Sequence, residues 1–443
     1  MSSVDAAEAV VEGAGDEKVA TKHYTFLAFL TLLNVMNFVD RQLLSSFSNY
    51  IVPDLGLTNT EYGLLTGLVF IFFYAFMGLF MGALGDMVHR PRLVAAGLLL
   101  WSVLTAASGA ARGFLSLALP RMFIGIGESV LTPTSMSMLG DRFPSSKLGF
   151  ASGVYYMGVP VGVGVSLLIA GYLGPAIGWR NCFYALGVIG VFLAVAMAFV
   201  KETPRKHHVA AAAAGKDLTK PSVREITRVL FKTLKQSPAL CYTMAGGVAI
   251  HFVLGAAAFD QLWYVQERGF DRAYIAQMTG WIGVVGGILG NIAGGLGSDW
   301  WQANRKTGRT MFLFWALLIL IPLGIAYRLV DPASSFFWLG VFFGFFQLGI
   351  FYGPTFSTIQ ELAPTEIRST AVAFYILTLN FIGLGVGITA SGYFIDVMTE
   401  AGTAEPYTVV LVIFSLLSAL AIPLFYLSGK HFHRDKAKLL SGA

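Results

Sequence analysis

Apolar residues in this chain come in runs too long for a soluble fold. From Tyr24 onward, stretches of about 20 residues or more are almost wholly apolar and are divided by short polar connections. That is the length a helix needs to cross the hydrocarbon core of a bilayer. Helices are expected over about 25–48, 61–85, 92–111, 114–140, 147–174 and 179–201, then over about 238–266, 273–298, 309–330, 335–360, 367–397 and 404–429. The runs lack the period-2 alternation of membrane barrel strands, which disfavours a β-barrel. The pattern therefore predicts an all-α integral membrane protein with twelve transmembrane helices in two six-helix bundles. The expected organisation is a cytoplasmic N-terminal tail (1–23), a first bundle (24–201), a cytoplasmic linker (202–236), a second bundle (237–429) and a cytoplasmic tail (430–443).

Composition narrows the class. The 443 residues are 56% hydrophobic and only 12% charged, against roughly 25% charged in an ordinary soluble domain. Mean hydropathy is +0.68. So few charges could not cover a soluble surface, which argues against a soluble enzyme and against a nucleic-acid binder. The fifty glycines lie inside apolar runs, where they let helices approach closely. Cys182 and Cys241 are too few for a disulfide framework or a metal cluster. Residues 2–22 are polar, with no apolar core before Tyr24, so the first span is expected to be retained and not cleaved as a signal peptide.

Basic residues set the orientation. The linker carries Lys201, Arg205, Lys206, Lys216, Lys220, Arg224, Arg228, Lys232 and Lys235, and Arg90, Arg92, Arg142, Arg305, Lys306, Arg309, Arg368 and the C-terminal tail add to the same side. The opposite side has Arg112, Arg180, Arg268, Arg272 and Arg328. The positive-inside bias places both termini in the cytoplasm. Residues 223–235 read equally well as a basic amphipathic helix on the membrane surface or as a solvated linker.

An internal repeat follows. Gly82-Ala-Leu-Gly-Asp86 precedes Arg90-Pro91-Arg92, and Gly295-Leu-Gly-Ser-Asp299 precedes Arg305, Lys306 and Arg309. Asp141-Arg-Phe-Pro144 is matched by Glu361-Leu-Ala-Pro364. Two parallel halves related by an axis along the membrane normal are a known transporter plan. The Gly82–Arg92 loop, Arg121-x-x-x-Gly125, the run Gly153, Gly158, Pro160, Gly162 and Gly164, and Lys201-Glu-Thr-Pro204 together resemble the major facilitator superfamily along nearly the whole chain. Met87 and Pro91 depart from that family's loop signature.

Within the superfamily, Asn37-Phe-Val-Asp40-Arg41, Arg121-Met-Phe-Ile-Gly125-Ile-Gly127-Glu128 and Tyr155-Tyr-Met-Gly158-Val-Pro160-Val-Gly162 resemble the spinster-type lipid transporters. That resemblance implies proton-coupled transport of a lysolipid or sphingoid phosphate. The same residues also resemble anion–proton symporters that carry sugar acids. A non-transporting lipid sensor of the same fold is a third reading.

Four intramembrane charges carry the functional expectation. A charge at the centre of a membrane helix costs about 2.5–3.5 kcal/mol on insertion scales, so such residues mark pathways or proton relays by default. Asp40 and Arg41 are adjacent in the first span and point about 100° apart. Arg121 and Glu128 are two turns apart on one face of the fourth. Asp40 and Glu128 are the expected proton sites. Arg41 and Arg121 are the expected cations for an anionic head group, since arginine stays charged and grips carboxylate or phosphate with two prongs. The same four could instead be structural ion pairs gating the cavity.

His251, Gln347, Tyr352 and Asn380 are weaker candidates for lining the substrate path, with hydrogen bonding or packing between helices as the alternative. Phe351 and Trp263 read as packing, and Asp260 and Gln261 as a polar cap. Asp86, Arg92 and Arg142 are expected to latch the two halves. The chain has no Gly-Lys-Ser/Thr phosphate loop, and neither enzymatic activity nor a cofactor is expected. The expected partners are the anionic or amphiphilic substrate, the proton and membrane lipid, with the chain acting as a monomer.

Overall fold

The computed structural model describes residues 20–203, 223–364 and 367–440. The expected tail before residue 20 and linker residues 204–222 lie outside that set. All regular structure among the described residues is helical. The first half comprises α1 (Thr21–Ser46), α2 (Ser48–Leu55), α3 (Asn59–Thr66), α4 (Leu68–Met87), α5 (Arg90–Ser108), α6 (Phe114–Glu128), α7 (Leu131–Arg142), α8 (Ser145–Tyr156) and α9 (Gly158–Ala198). The second comprises α10 (Val223–Gln236), α11 (Pro238–Ala256), α12 (Asp260–Gln266), α13 (Arg272–Asn304), α14 (Thr310–Ala326), α15 (Ser335–Leu362), α16 (Arg368–Thr378), a π-helical stretch Leu379–Val386, α17 (Gly387–Glu400), α18 (Pro406–Ser418) and α19 (Ala421–Leu440).

Among the described residues, ten segments are long and apolar enough to cross a membrane. One of them, Lys147–Ala198, has 52 residues, about 78 Å of helix at 1.5 Å per residue and more than twice a bilayer core. It is two passes joined at Gly178, whose φ of 78° and ψ of 156° suit a residue without a Cβ. Dividing that segment and adding α1, whose apolar run is diluted by Asn34, Asn37, Asp40 and Arg41, gives twelve long helical passes among the described residues.

The last helix continues past residue 429, into the stretch expected as the C-terminal tail. Helix α19 runs on to Leu440, and Asp435 is fully buried. Its carboxylate accepts from the Ala239 N–H at 2.8 Å and the Ser237 hydroxyl at 3.3 Å, so it caps the start of α11 with a negative charge where the helix dipole favours one.

Hydrogen bonds between the two halves cluster at the end opposite the termini. The Asn49 amide donates to the Gln261 carbonyl at 2.6 Å, and the Tyr62 hydroxyl donates to the Ala258 carbonyl at 2.8 Å. Both carbonyls lie where α11 gives way to a short 3-10 turn and α12. Asp396 accepts from the backbone N–H groups of Asn59 and Thr60 and from both their side chains, at 2.6–3.1 Å. One hydrophobic core, containing Phe47, Tyr62, Phe259, Trp263, Ile395 and Tyr407, runs across both halves at this end. A second, with Leu240, Leu317, Phe351, Ile359 and Phe425, lies within the C-terminal half. This end of the molecule is closed.

Helices α9 and α13 pack closely, with glycines of each set against backbone and side-chain atoms of the other. A Cβ on Gly164 would stand 2.8 Å from the Gly280 carbonyl, one on Gly171 would stand 2.7 Å from the Gln277 nitrogen, and one on Gly287 would stand 2.6 Å from Pro160. The glycines are required here by backbone approach.

The four bonds to Asp396 generate a prediction. Hydrogen bonds to a charged acceptor are worth about 1.5–3 kcal/mol each. Asp396→Ala should therefore weaken the closed end on the order of 3 kcal/mol, roughly a hundredfold in the closed-to-open ratio. Spin labels on exposed Thr58 and Glu400, with exposed Cys241 replaced by Ser, should report a longer distance in the variant. An unchanged distance distribution would show that Asp396 does not hold this end shut.

Candidate functional site

Four helices of the N-terminal half bring the intramembrane charges together. Asp40 and Arg41 leave α1 in different directions, as adjacent helix positions must. Asp40 turns to α5, where the indole N–H of fully buried Trp101 donates to its Oδ2 at 3.1 Å. Arg41 turns to α6 and donates from Nε to Glu128 Oε2 at 3.1 Å. The Arg41 guanidinium also lies over Tyr74 of α4 at 4.1 Å, with Phe38 at 5.0 Å and Phe70 at 5.2 Å, a cation surrounded by π faces. Arg121 also lies over the Phe70 ring, at 4.7 Å, and donates to the Arg41 carbonyl at 3.4 Å. It forms no ion pair with Glu128 among the described residues. Two turns of helix separate them by about 10 Å along the axis.

Burial separates the two arginines. The Glu128 side chain is fully buried, whereas the Arg41 side chain keeps 21% of its surface. Arg121 and Asp40 are buried. Arg41 is thus the most exposed member of the quartet. Four atoms in this cluster are buried without a hydrogen-bond partner: Asp40 Oδ1, Glu128 Oε1, Arg41 Nη2 and Arg121 Nε. A buried polar group left unpaired costs about 1–3 kcal/mol, so the cluster has capacity for a proton on a carboxylate and for an anion on a guanidinium.

The C-terminal half presents an aromatic wall. His251 of α11 is buried, its Nδ1 paired with the Gly247 carbonyl at 2.8 Å. Its ring meets Phe351 at 5.2 Å and Tyr352 at 6.0 Å. Tyr352 stacks on Phe356, which meets buried Tyr375 at 5.3 Å. Gln347 is buried on the same α15, and Asn380 bonds the Ile376 carbonyl at 2.9 Å within its own helix. Asp260, read as a polar cap, pairs with Arg328 at 2.8 Å, and Gln261 bonds Thr279 at 3.0 Å. Trp263 packs against Tyr264, Tyr327 and Phe337.

At the terminus-bearing end the charges pair within each half. Arg90, hidden in the sequence beside the more conspicuous Arg92, is almost fully buried. It donates to Asp141 at 2.6 Å, to Glu202 at 2.9 Å, to Ser137 at 2.9 Å and to the Thr203 carbonyl at 2.7 Å. Arg142 bonds Thr203 at 2.7 Å and lies over Phe26 at 3.6 Å. Arg92 is exposed, and the Asp86 side chain lies outside the described residues. In the other half Arg309 pairs with Asp299 at 2.8 Å and with Glu361, which also accepts from Lys436 at 2.6 Å. Arg90 and Arg309, like Asp141 and Glu361, occupy equivalent positions of the repeat.

Trp101, Tyr74 and Arg90 were not among the sequence-derived candidates. Trp101 had one available signal, since an indole N–H inside a membrane helix needs a partner. Tyr74 stands among Phe70, Phe72, Phe73 and Phe76 and gave none.

Over residues 30–388 the sequence matches the family model of the Major Facilitator Superfamily. An MFS-type efflux pump of Mycolicibacterium smegmatis is 26% identical over 92% of each chain. A hexuronate transporter of Bacillus subtilis is 31% identical over 67% of this chain and 68% of its own. A solved bacterial homolog of the human lysosomal transporter spinster, inward-facing and unoccupied, superposes with a TM-score of 0.77 at 22% identity over 95% of this chain and 99% of that one. The chain belongs to the Major Facilitator Superfamily: it is a multi-pass membrane transporter and not an enzyme.

A stability prediction follows from the pairing. Removing one partner of a buried charge network costs about 3–5 kcal/mol, whereas exposed substitutions stay within about 0.5 kcal/mol. Arg90→Ala should lower the thermal unfolding midpoint strongly, and Arg92→Ala should leave it nearly unchanged. Equal midpoints would remove the structural role of Arg90.

Proposed function

We propose that this transporter moves an amphiphilic organic anion, a lysolipid or sphingoid phosphate, coupled to protons by alternating access, with both termini in the cytoplasm. The observation that supports the reading is the state of Arg41, a partly accessible cation held by one bond to a buried carboxylate and walled by aromatic rings. An anionic head group arriving on Arg41 competes with Glu128 for the guanidinium. Once displaced, Glu128 is a buried carboxylate without its cation, and protonation removes the cost of that charge. Proton uptake and substrate binding are thereby linked, and reversal of either releases the other. Asp40, held by Trp101 alone, is the second proton site. Arg121 fixes the local field and receives the head group deeper in the path.

The apolar body of the substrate packs against Phe38, Phe70 and Tyr74 on one side and Tyr352 and His251 on the other, with Gln347 and Asn380 as its polar contacts. Gating is assigned to Asp86, Arg92 and Arg142 at the cytoplasmic end. A second reading, symport of a small sugar acid, is supported by the 31% identity to a hexuronate transporter. Both readings use the same arginine, because carboxylate and phosphate each match its planar fork.

Two carboxylates outside the membrane serve as controls. Arg180, assisted by the Trp179 N–H, holds Asp54 below the usual carboxylate range, and Arg268 does the same for Glu405. Groups with lowered values lose their charge only as pH falls below the ordinary carboxylate range near 4. Asp54→Asn and Glu405→Gln should therefore leave the pH profile of transport between pH 5 and 8 unchanged (a range set by the reference values). Glu128→Gln should flatten it and abolish pH-gradient-driven accumulation. If Glu128→Gln retains a normal profile, Glu128 is not the proton site.

The substrate is tested by uptake into proteoliposomes of a labelled lysophospholipid against a labelled hexuronate, with and without a pH gradient. The first reading expects gradient-dependent lysophospholipid movement that Arg41→Ala removes. Hexuronate uptake alone would select the second reading. Binding without gradient-dependent flux of either would point to a sensor.

A further inference from the structure

We infer that the outer face of α13 and α14 carries a binding site for an anionic phospholipid of the bilayer, separate from the transport path. Gly297, Trp300, Trp301, Phe312, Trp315, Ala316 and Ile319 line a groove of about 300 Å³ between these two helices. Trp300, Trp315 and Ile319 are about half exposed or more, on helices that cross the membrane. What covers this face is therefore lipid, and the groove has the shape to take an acyl chain. Gly297 makes the floor: a Cβ there would come within 2.6 Å of the Phe312 ring.

Charge complementarity selects the head group. The loop that follows the groove reads Arg305-Lys306-Thr307-Gly308-Arg309. Arg309 is committed to Asp299 and Glu361. Arg305 and Lys306 are exposed, and neither is paired with an acid among the described residues. Arg305 lies over the Trp301 ring at 5.8 Å, and Trp301 is fixed by its indole N–H donating to the Thr307 hydroxyl at 2.9 Å. The cation thus sits at the mouth of the groove that the same tryptophan lines. Tryptophans at this level with flanking basic residues match the membrane–water interface, where an anionic head group meets Lys and Arg. A phosphodiester on Arg305 and Lys306 with its chain in the groove satisfies both parts of the site.

The site also has a consequence for the charge cluster of the C-terminal half. The Arg305–Arg309 loop carries the guanidinium that ties Asp299 to Glu361, so a lipid bracing this loop stabilises the pairing between α13 and α15. The inference does not depend on which substrate is carried.

The test uses full-length protein in phosphatidylcholine vesicles doped with phosphatidylglycerol brominated on its acyl chains. Bromine quenches nearby indole fluorescence, and three of the eight tryptophans line the groove. Quenching should saturate at a low fraction of brominated phosphatidylglycerol, and brominated phosphatidylcholine should give only gradual, non-saturating quenching. Each cation near a membrane surface is worth about 1 kcal/mol toward an anionic lipid, so Arg305→Gln with Lys306→Gln should weaken the saturable component about thirtyfold. Arg305→Lys with Lys306→Arg should retain it, and Trp315→Ala should reduce its amplitude. Saturable quenching that survives the double Gln substitution would overturn the inference. So would competition by glycerol phosphate as strong as that by unlabelled phosphatidylglycerol, since the groove would then contribute nothing.

Discussion

Two carboxylates and two guanidinium groups share one apolar compartment, and none of them can be left there alone. An isolated buried charge costs far more than a domain has to spend, whereas a paired one is tolerated. The consequences spread outward from Arg41 and Glu128. Helix α1 must be oriented so that Arg41 meets α6 while Asp40 meets Trp101 on α5. Phe70 must lie within reach of both arginines. The pairing is incomplete, because each of the four side chains keeps one buried atom without a partner. An entirely satisfied cluster would be a strut. This one keeps bonding capacity in reserve.

The two ends of the molecule solve different problems. At the end opposite the termini, backbone carbonyls freed by the break after α11 accept from Asn49 and Tyr62, and one carboxylate gathers four donors across the halves. These bonds join parts far apart in sequence and can be broken together. At the other end, Arg90 and Arg309 bind acids of their own half. Each half is thereby held as a body where the chain ends, and the contact between bodies is concentrated where it does not.

The long helices were legible in the chain because the bilayer demands about 20 apolar residues in a row. The repeat was legible because Asp141 and Glu361 recur at matching places. The charge quartet was legible for the opposite reason: Asp40, Arg41, Arg121 and Glu128 break the apolar pattern. What the pattern hid were residues that obey it. Trp101 looks like any other apolar position until its N–H is traced to Asp40. Arg90 sits in a loop rich in basic residues, and position alone does not say that it is buried while Arg92 is exposed. The helical continuation through Asp435 escaped notice because its partners, Ser237 and Ala239, lie about 200 residues earlier. Closure of one end depends on docking the halves, and no local period encodes that.

The glycine seam between α9 and α13 has a kinematic consequence. Its close approaches run from Pro160 to Gly171 on one helix and from Ala273 to Gly287 on the other, about 16 Å along a membrane core roughly 30 Å thick. Helices that meet through side chains interlock, and sliding one past the other means lifting ridges out of grooves. Here Val284, Gln277, Leu168 and Pro160 fit into the hollows left by Gly164, Gly171, Gly280 and Gly287. The glycines leave no room for even one methyl group, so along this line the chain itself sets how near the two halves come.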